Sequence, residues 1–198
     1  MKKTFVQRKY LFIYQIENMG TQNKDLVAYL KLIWPILEYC TTHLINDDGK
    51  PVLNSESDKH IWYLYRQAFY GFFNVLNEPK QFYSKGAELE FNRLVRGTPF
   101  NGRSLSTITW NEQVLFDKGR QHLLIEHMYT GSMFRLAVRE KYKEGALEID
   151  SVCKIVEDNY KVCWITKSEN ERLHKTRREG DLIEYYASRK IYIVNNTQ

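Results

Sequence analysis

Two adjacent residues, and two more some forty positions on, carry the strongest chemical signal in the chain. Glu126 and His127 close the apolar run "HLLIEH", and Asn170 and His174 stand in the polar stretch that follows a second apolar run, "YKVCWIT". A carboxylate is a hard oxygen ligand for a divalent cation, and a neutral imidazole can take a proton from water near neutral pH. An amide carbonyl can complete the metal shell. These groups together suit metal-assisted hydrolysis of a phosphodiester. His174 lies four residues after Asn170, so on one helix the two would share a face. It is an alternative or additional ligand, whose nitrogen would shift preference toward transition metals.

At these residues the chain resembles the HNH, or ββα-metal, nuclease family. There a first strand ends in an acid–His or His–His pair, and a metal ligand sits on the helix after a second strand. Some restriction-type members resemble this layout, including the ending "CWIT-x-x-EN-x-x-L", and the resemblance covers about a quarter of the chain. It implies His127 as general base and Glu126 with Asn170 as ligands of Mg²⁺ or Mn²⁺. The implied activity is that of a type II restriction endonuclease, with double-stranded DNA as partner and a homodimer as its assembly. The 43 positions from His127 to Asn170 exceed the compact form of the motif, so a helical insertion must part the two strands. Asn159 is the nearest equivalent of the motif's spacing asparagine.

Two basic groups could meet a DNA backbone. Lys175, Arg177 and Arg178 follow Asn170 closely, and Arg93, Arg96 and Arg103 flank the loop "GTPFNGRS", where arginines could grip phosphates or read guanine edges. Both groups also suit a solvated surface. A second reading is a nucleic-acid-binding or regulatory protein without catalysis, and a third is a helical protein whose aromatic surface binds another protein.

Composition is permissive of all three. A chain of 198 residues with 43% hydrophobic content can bury a sizeable core as one domain, and a net charge of +5 favours a polyanionic partner. Three cysteines without a C-x-x-C pair indicate neither a disulfide framework nor a cysteine zinc site. No apolar run reaches the length of a membrane span, and polar residues interrupt the start of the chain, so a cytoplasmic protein is expected.

The elements that must position these residues follow from periodicity and punctuation. Leu26, Leu30, Ile33, Leu37 and Leu44 predict a core helix with a kink or break at Pro35. The stretch from Ile61 to Leu76 predicts a helix buried on most sides, its aromatics in the core. A shorter helix is expected from about Gly86 to Arg96, and a capped one from Thr109 or Asn111 to Gly119. The strand "HLLIEH" and two helices, one from Thr130 or Ser132 to Gly145 and one over "LEIDSVCKIVEDN", come next. The strand "YKVCWIT", the helix carrying Asn170 and His174, a short helix after Gly180 and a strand from Ile191 to Val194 complete the chain. The predicted class is α+β, mainly helical, with a helical portion over 1–104 and a hairpin-and-helix motif within 105–198.

Overall fold

The computed structural model describes residues 23–76, 80–175, 178 and 180–194. The class is α+β, with a four-stranded sheet among helices. Helix α1 (Lys24–Tyr39) is capped by Asn23, whose side chain accepts from the backbone of Asp25 and Leu26. It continues through Pro35 without a break and ends in a π-helical turn, Cys40–Leu44. Helix α2 (Glu56–Val75) starts at a capping box in which Ser55 and Asp58 satisfy each other's backbone N–H groups. The Tyr29 hydroxyl donates to Ala68 O at 2.8 Å and ties α1 to α2.

After α2 the chain forms β1 (Lys80–Ser84) and α3 (Lys85–Leu94), then irregular loops and the short α4 (Trp110–Gln113). Strand β2 (Leu123–His127), helices α5 (Gly131–Lys143) and α6 (Ile149–Asn159), and strand β3 (Lys161–Thr166) follow. Last come α7 (Lys167–Asn170), α8 (Leu182–Ala187) and β4 (Ile193–Val194). The sheet order is β2-β3-β1-β4. Strand β2 pairs antiparallel with β3, with α5 and α6 between them in the chain.

Strand β1 has no counterpart in the sequence reading, yet it pairs parallel with β3 and antiparallel with β4 at the centre of the sheet. Its five residues include two aromatics, Phe82 and Tyr83, which go to opposite faces and leave no alternating pattern to read. The helix after β3 is shorter than expected. It ends at Asn170, and His174 lies outside it.

The two faces of the sheet are covered differently. On one, Val162 joins the core formed by α1, α2, α5 and α6, with Leu26, Leu30, Phe69, Phe72, Phe134 and Val156. Trp164, Leu123 and Tyr83 pack there against α3 and the loop residues Phe100, Leu105 and Ile108. On the other, Cys163 and Ile165 meet Leu173, Tyr185, Tyr186 and Ile191 from the chain after β3. Each fully buried Leu or Phe contributes about 1.5–3 kcal/mol.

Asp117 fixes where β2 begins. Its buried carboxylate accepts from the backbone N–H groups of Gln121, His122 and Leu123 at 2.9–3.2 Å, and from Gln113 Nε2 at 2.9 Å. Burial pushes its pKa up, but the hydrogen bonds from Leu123, Gln113, His122 and Gln121 outweigh that and hold it below the usual carboxylate range. Such a group adds stability above its unfolded pKa, and loses it as pH falls through the lower folded value. Asp117→Ala is expected to cost about 3 kcal/mol in urea denaturation at pH 7, because buried donors lose their acceptor. Asp117→Asn should also flatten the loss of stability that the native protein shows below about pH 4.

Candidate functional site

Strand alternation decides the geometry of the acid–histidine pair. Successive side chains of β2 point to opposite faces, so Leu124 and Glu126 lie on one side, and Leu123, Ile125 and His127 on the other. The register agrees: Glu126 sits opposite Cys163, beneath the chain that follows β3, and His127 sits opposite Val162, beneath α2. The sheet therefore stands between the carboxylate and the imidazole.

Glu126 is occupied by Arg178, whose guanidinium makes a short charge-assisted contact to its carboxylate. Arg178 is 4% exposed. Its Nη1 also donates to His127 O at 2.8 Å, Met128 O at 3.0 Å and the Tyr186 hydroxyl at 2.7 Å. The guanidinium thus takes the place a cation would occupy beside Glu126, and it ties the chain before α8 to the end of β2. Expected on the surface as a DNA contact, Arg178 is an interior residue.

His127 packs among rings. Phe69, Tyr70 and Tyr160 surround it at centroid distances of 5.4–5.8 Å, and its Nδ1 lies 3.2 Å from the Tyr160 hydroxyl. Burial, and then the Arg178 cation, lower its pKa to about 4. The ring is neutral at pH 7, but it faces an aromatic cage rather than a water bound near Glu126.

The remaining candidates do not gather around either residue. Helix α7 leaves the sheet where Thr166 pairs with Leu123, three residues and roughly 10 Å along the strand from Glu126. Asn170 is half-buried at the end of α7. His174 is exposed, and its backbone N–H donates to the Tyr185 hydroxyl at 2.8 Å. It lines an open cleft with Gly180, Asp181, Glu184, Tyr185, Ser188 and Arg189, whose walls include neither Glu126 nor Asn170. Because α7 stops first, Asn170 and His174 do not share a helix face. Lys175 is exposed, and Arg177 lies outside the described residues.

Glu169, unremarked in the sequence beside Asn170, is the buried carboxylate of this region. It accepts from the Ser84 hydroxyl at 2.6 Å and from Thr166 N at 2.9 Å, pinning α7 to β1. Its Oε1 lies 2.5 Å from where a Cβ on Gly86 would fall, so a larger residue there would have to displace the carboxylate. The loop arginines are surface residues, two of them engaged. Arg93 forks onto Glu90, Arg103 binds Glu112 at 2.8 Å and the Thr107 carbonyl, and Arg96 is exposed.

These donors do not fit a divalent ion. Glu126 faces Arg178, His127 faces away, and among the described residues no three His, Cys, Asp or Glu side chains converge as a metal site. All three cysteines are buried free thiols. None of the described helices is long and apolar enough to cross a membrane. Comparison with protein-family models, curated proteins and solved structures finds no match for the chain.

Removing Glu126 leaves the buried Arg178 guanidinium without its anionic partner, whereas removing Arg178 leaves a half-buried carboxylate that water can still reach. Glu126→Leu is expected to lower unfolding free energy by about 3–5 kcal/mol in chemical denaturation, and Arg178→Met by less. The double variant should recover a large part of that loss, giving a clear coupling energy. His127 supplies a pH signature that a histidine of ordinary pKa would not. Its folded pKa of about 4 lies below the ordinary 6.5, so the folded state resists protonation. Stability should fall by about 3 kcal/mol as pH drops from 6.5 to 4, and His127→Phe should remove that slope.

Proposed function

We propose that this chain is a nucleic-acid-binding or regulatory protein in which Glu126 and His127 are structural rather than catalytic. The observation that carries this reading is the Arg178 guanidinium on Glu126, with His127 on the far side of the sheet. An ion held by Glu126 and a water activated by His127 would have to meet at one phosphodiester, and a general base must come within hydrogen-bond reach of the proton it removes. Support for an anionic partner comes from the net charge of +5 and a pI near 9.0.

A second reading, the metal-dependent DNA endonuclease of HNH restriction type, is favoured by one observation. The chain runs strand, helical insertion, strand and helix, with Glu126 on the first strand and Asn170 on the helix after the second. It requires Arg178 to leave Glu126 and the end of β2 to turn His127 about.

Binding and cleavage assays on one preparation separate the two. The expected result is DNA binding that weakens steeply with salt, and a supercoiled plasmid left intact with Mg²⁺ or Mn²⁺. Nicking or linearisation that is abolished by chelator, and lost in both His127→Ala and Asn170→Ala, would establish the nuclease instead. Absence of binding to either DNA or RNA at low salt would remove the nucleic-acid reading altogether.

A further inference from the structure

Helix α2 carries an exposed row of side chains that its role in the core does not explain. Lys59, Tyr63, Arg66 and Tyr70 follow at intervals of four, three and four residues, which places them within about 60° of one another around the helix. The opposite side of α2 buries Tyr65, Phe69 and Phe72. Tyr63 is 59% exposed and Tyr70 44%, so two large rings stand in water roughly 10 Å apart along the axis, with a guanidinium between them.

The row is also cationic. From His60 to Leu76 there is no acidic residue. The carboxylates of the first turn are already engaged, Glu56 with Lys59 at 2.6 Å and Asp58 in the capping box. Arg66 lies close enough to Arg135 for the two charges to repel, and Tyr70 borders the same guanidinium. Arg135 is held by Gly49 O at 3.1 Å and the Ser132 hydroxyl at 2.7 Å, with its face over Trp62. None of those partners is acidic. Beneath, Tyr70 leans on His127 and Phe69, which fixes its ring against the body of the protein.

We infer that this row of α2 is a binding platform for single-stranded nucleic acid, with bases stacked on Tyr63 and Tyr70 and phosphates met by Arg66 and the neighbouring Arg135. The inference rests on the nucleic-acid reading above and adds the strand state and the surface. Alternating rings and cations match a chain that alternates bases with phosphates. A duplex hides its base faces, so it can use the cations but not the rings. Two tyrosines with few rotatable bonds lose little entropy on stacking, which makes them economical anchors.

The test is fluorescence anisotropy with the full chain, a labelled oligothymidine of about 16 nucleotides and a labelled duplex. Single-strand affinity is expected to fall by roughly 5- to 150-fold in Tyr63→Ala and again in Tyr70→Ala, as for loss of one stacked base each. Tyr63→Phe and Tyr70→Phe should retain binding, which separates stacking from any disturbance of the fold around Tyr70. Arg66→Ala should reduce the salt slope by about 0.7. If the alanine variants bind the oligonucleotide like the native chain while binding persists, the platform is wrong but the nucleic-acid reading stands. Equal losses on single strand and duplex would also refute stacking. If the native chain binds no nucleic acid, both fall. Self-association in ultracentrifugation that disappears in the alanine variants, without an effect on the oligonucleotide, would assign the row to a protein contact.

Discussion

A single buried guanidinium holds the two ends of the C-terminal half together. Arg178 reaches from the irregular stretch before α8 to the last residues of β2, where it meets a carboxylate, two backbone carbonyls and a phenol. The desolvation of such a charge is costly, and only a dense set of partners offsets it. Glu126 is the anionic one, and without it the cation would have no cause to be inside. With the pair in place, Leu173, Tyr185, Tyr186 and Ile191 settle on Cys163 and Ile165 and close that face of the sheet. Burial on this face, and then the Glu169 and Glu126 carboxylates, push the Cys163 thiol well above its usual pKa, which keeps it protonated and unreactive.

Much of the fold was legible because it depends on local patterns. The leucine spacing of α1, the Thr130 cap of α5 and the apolar runs of β2 and β3 each announce themselves within a few residues. The two helices between β2 and β3 are marked by their own punctuation and apolar spacing. Strand β1 was not legible, since its place depends on partners some eighty residues away and its own residues show no period. Nor was the outer surface of α2. Eleven apolar or aromatic residues in one helix suggest a core on every side, and only the packing partners reveal which rings remain in water.

The candidate site shows a different limit. Residue types and chain order pointed to Glu126, His127 and Asn170, and the chain does place a strand, an insertion, a strand and a helix in that order. What the sequence does not display is the direction of each side chain. Neighbours on a regular strand diverge, whereas a pair that serves one phosphodiester needs a break in the strand or a twist that turns both inward. Here β2 stays regular through His127. The companion that decides the fate of Glu126 is Arg178, fifty-two residues away, and in the sequence it reads as one more member of a basic cluster.

The central position of β1 has a consequence for how the protein is made. Both of its neighbours, β3 and β4, come from the C-terminal third of the chain. On the ribosome, β1 emerges roughly eighty residues ahead of β3, a delay of several seconds at ordinary rates of translation. For that interval both backbone edges of the strand lack their native partners, while α1 and α2 can already begin to pair. The sheet then forms late and through contacts distant in sequence, which slows folding relative to a helical bundle of similar size. Cellular machinery that shields nascent chains would have its longest engagement with this protein at Phe82 and Tyr83.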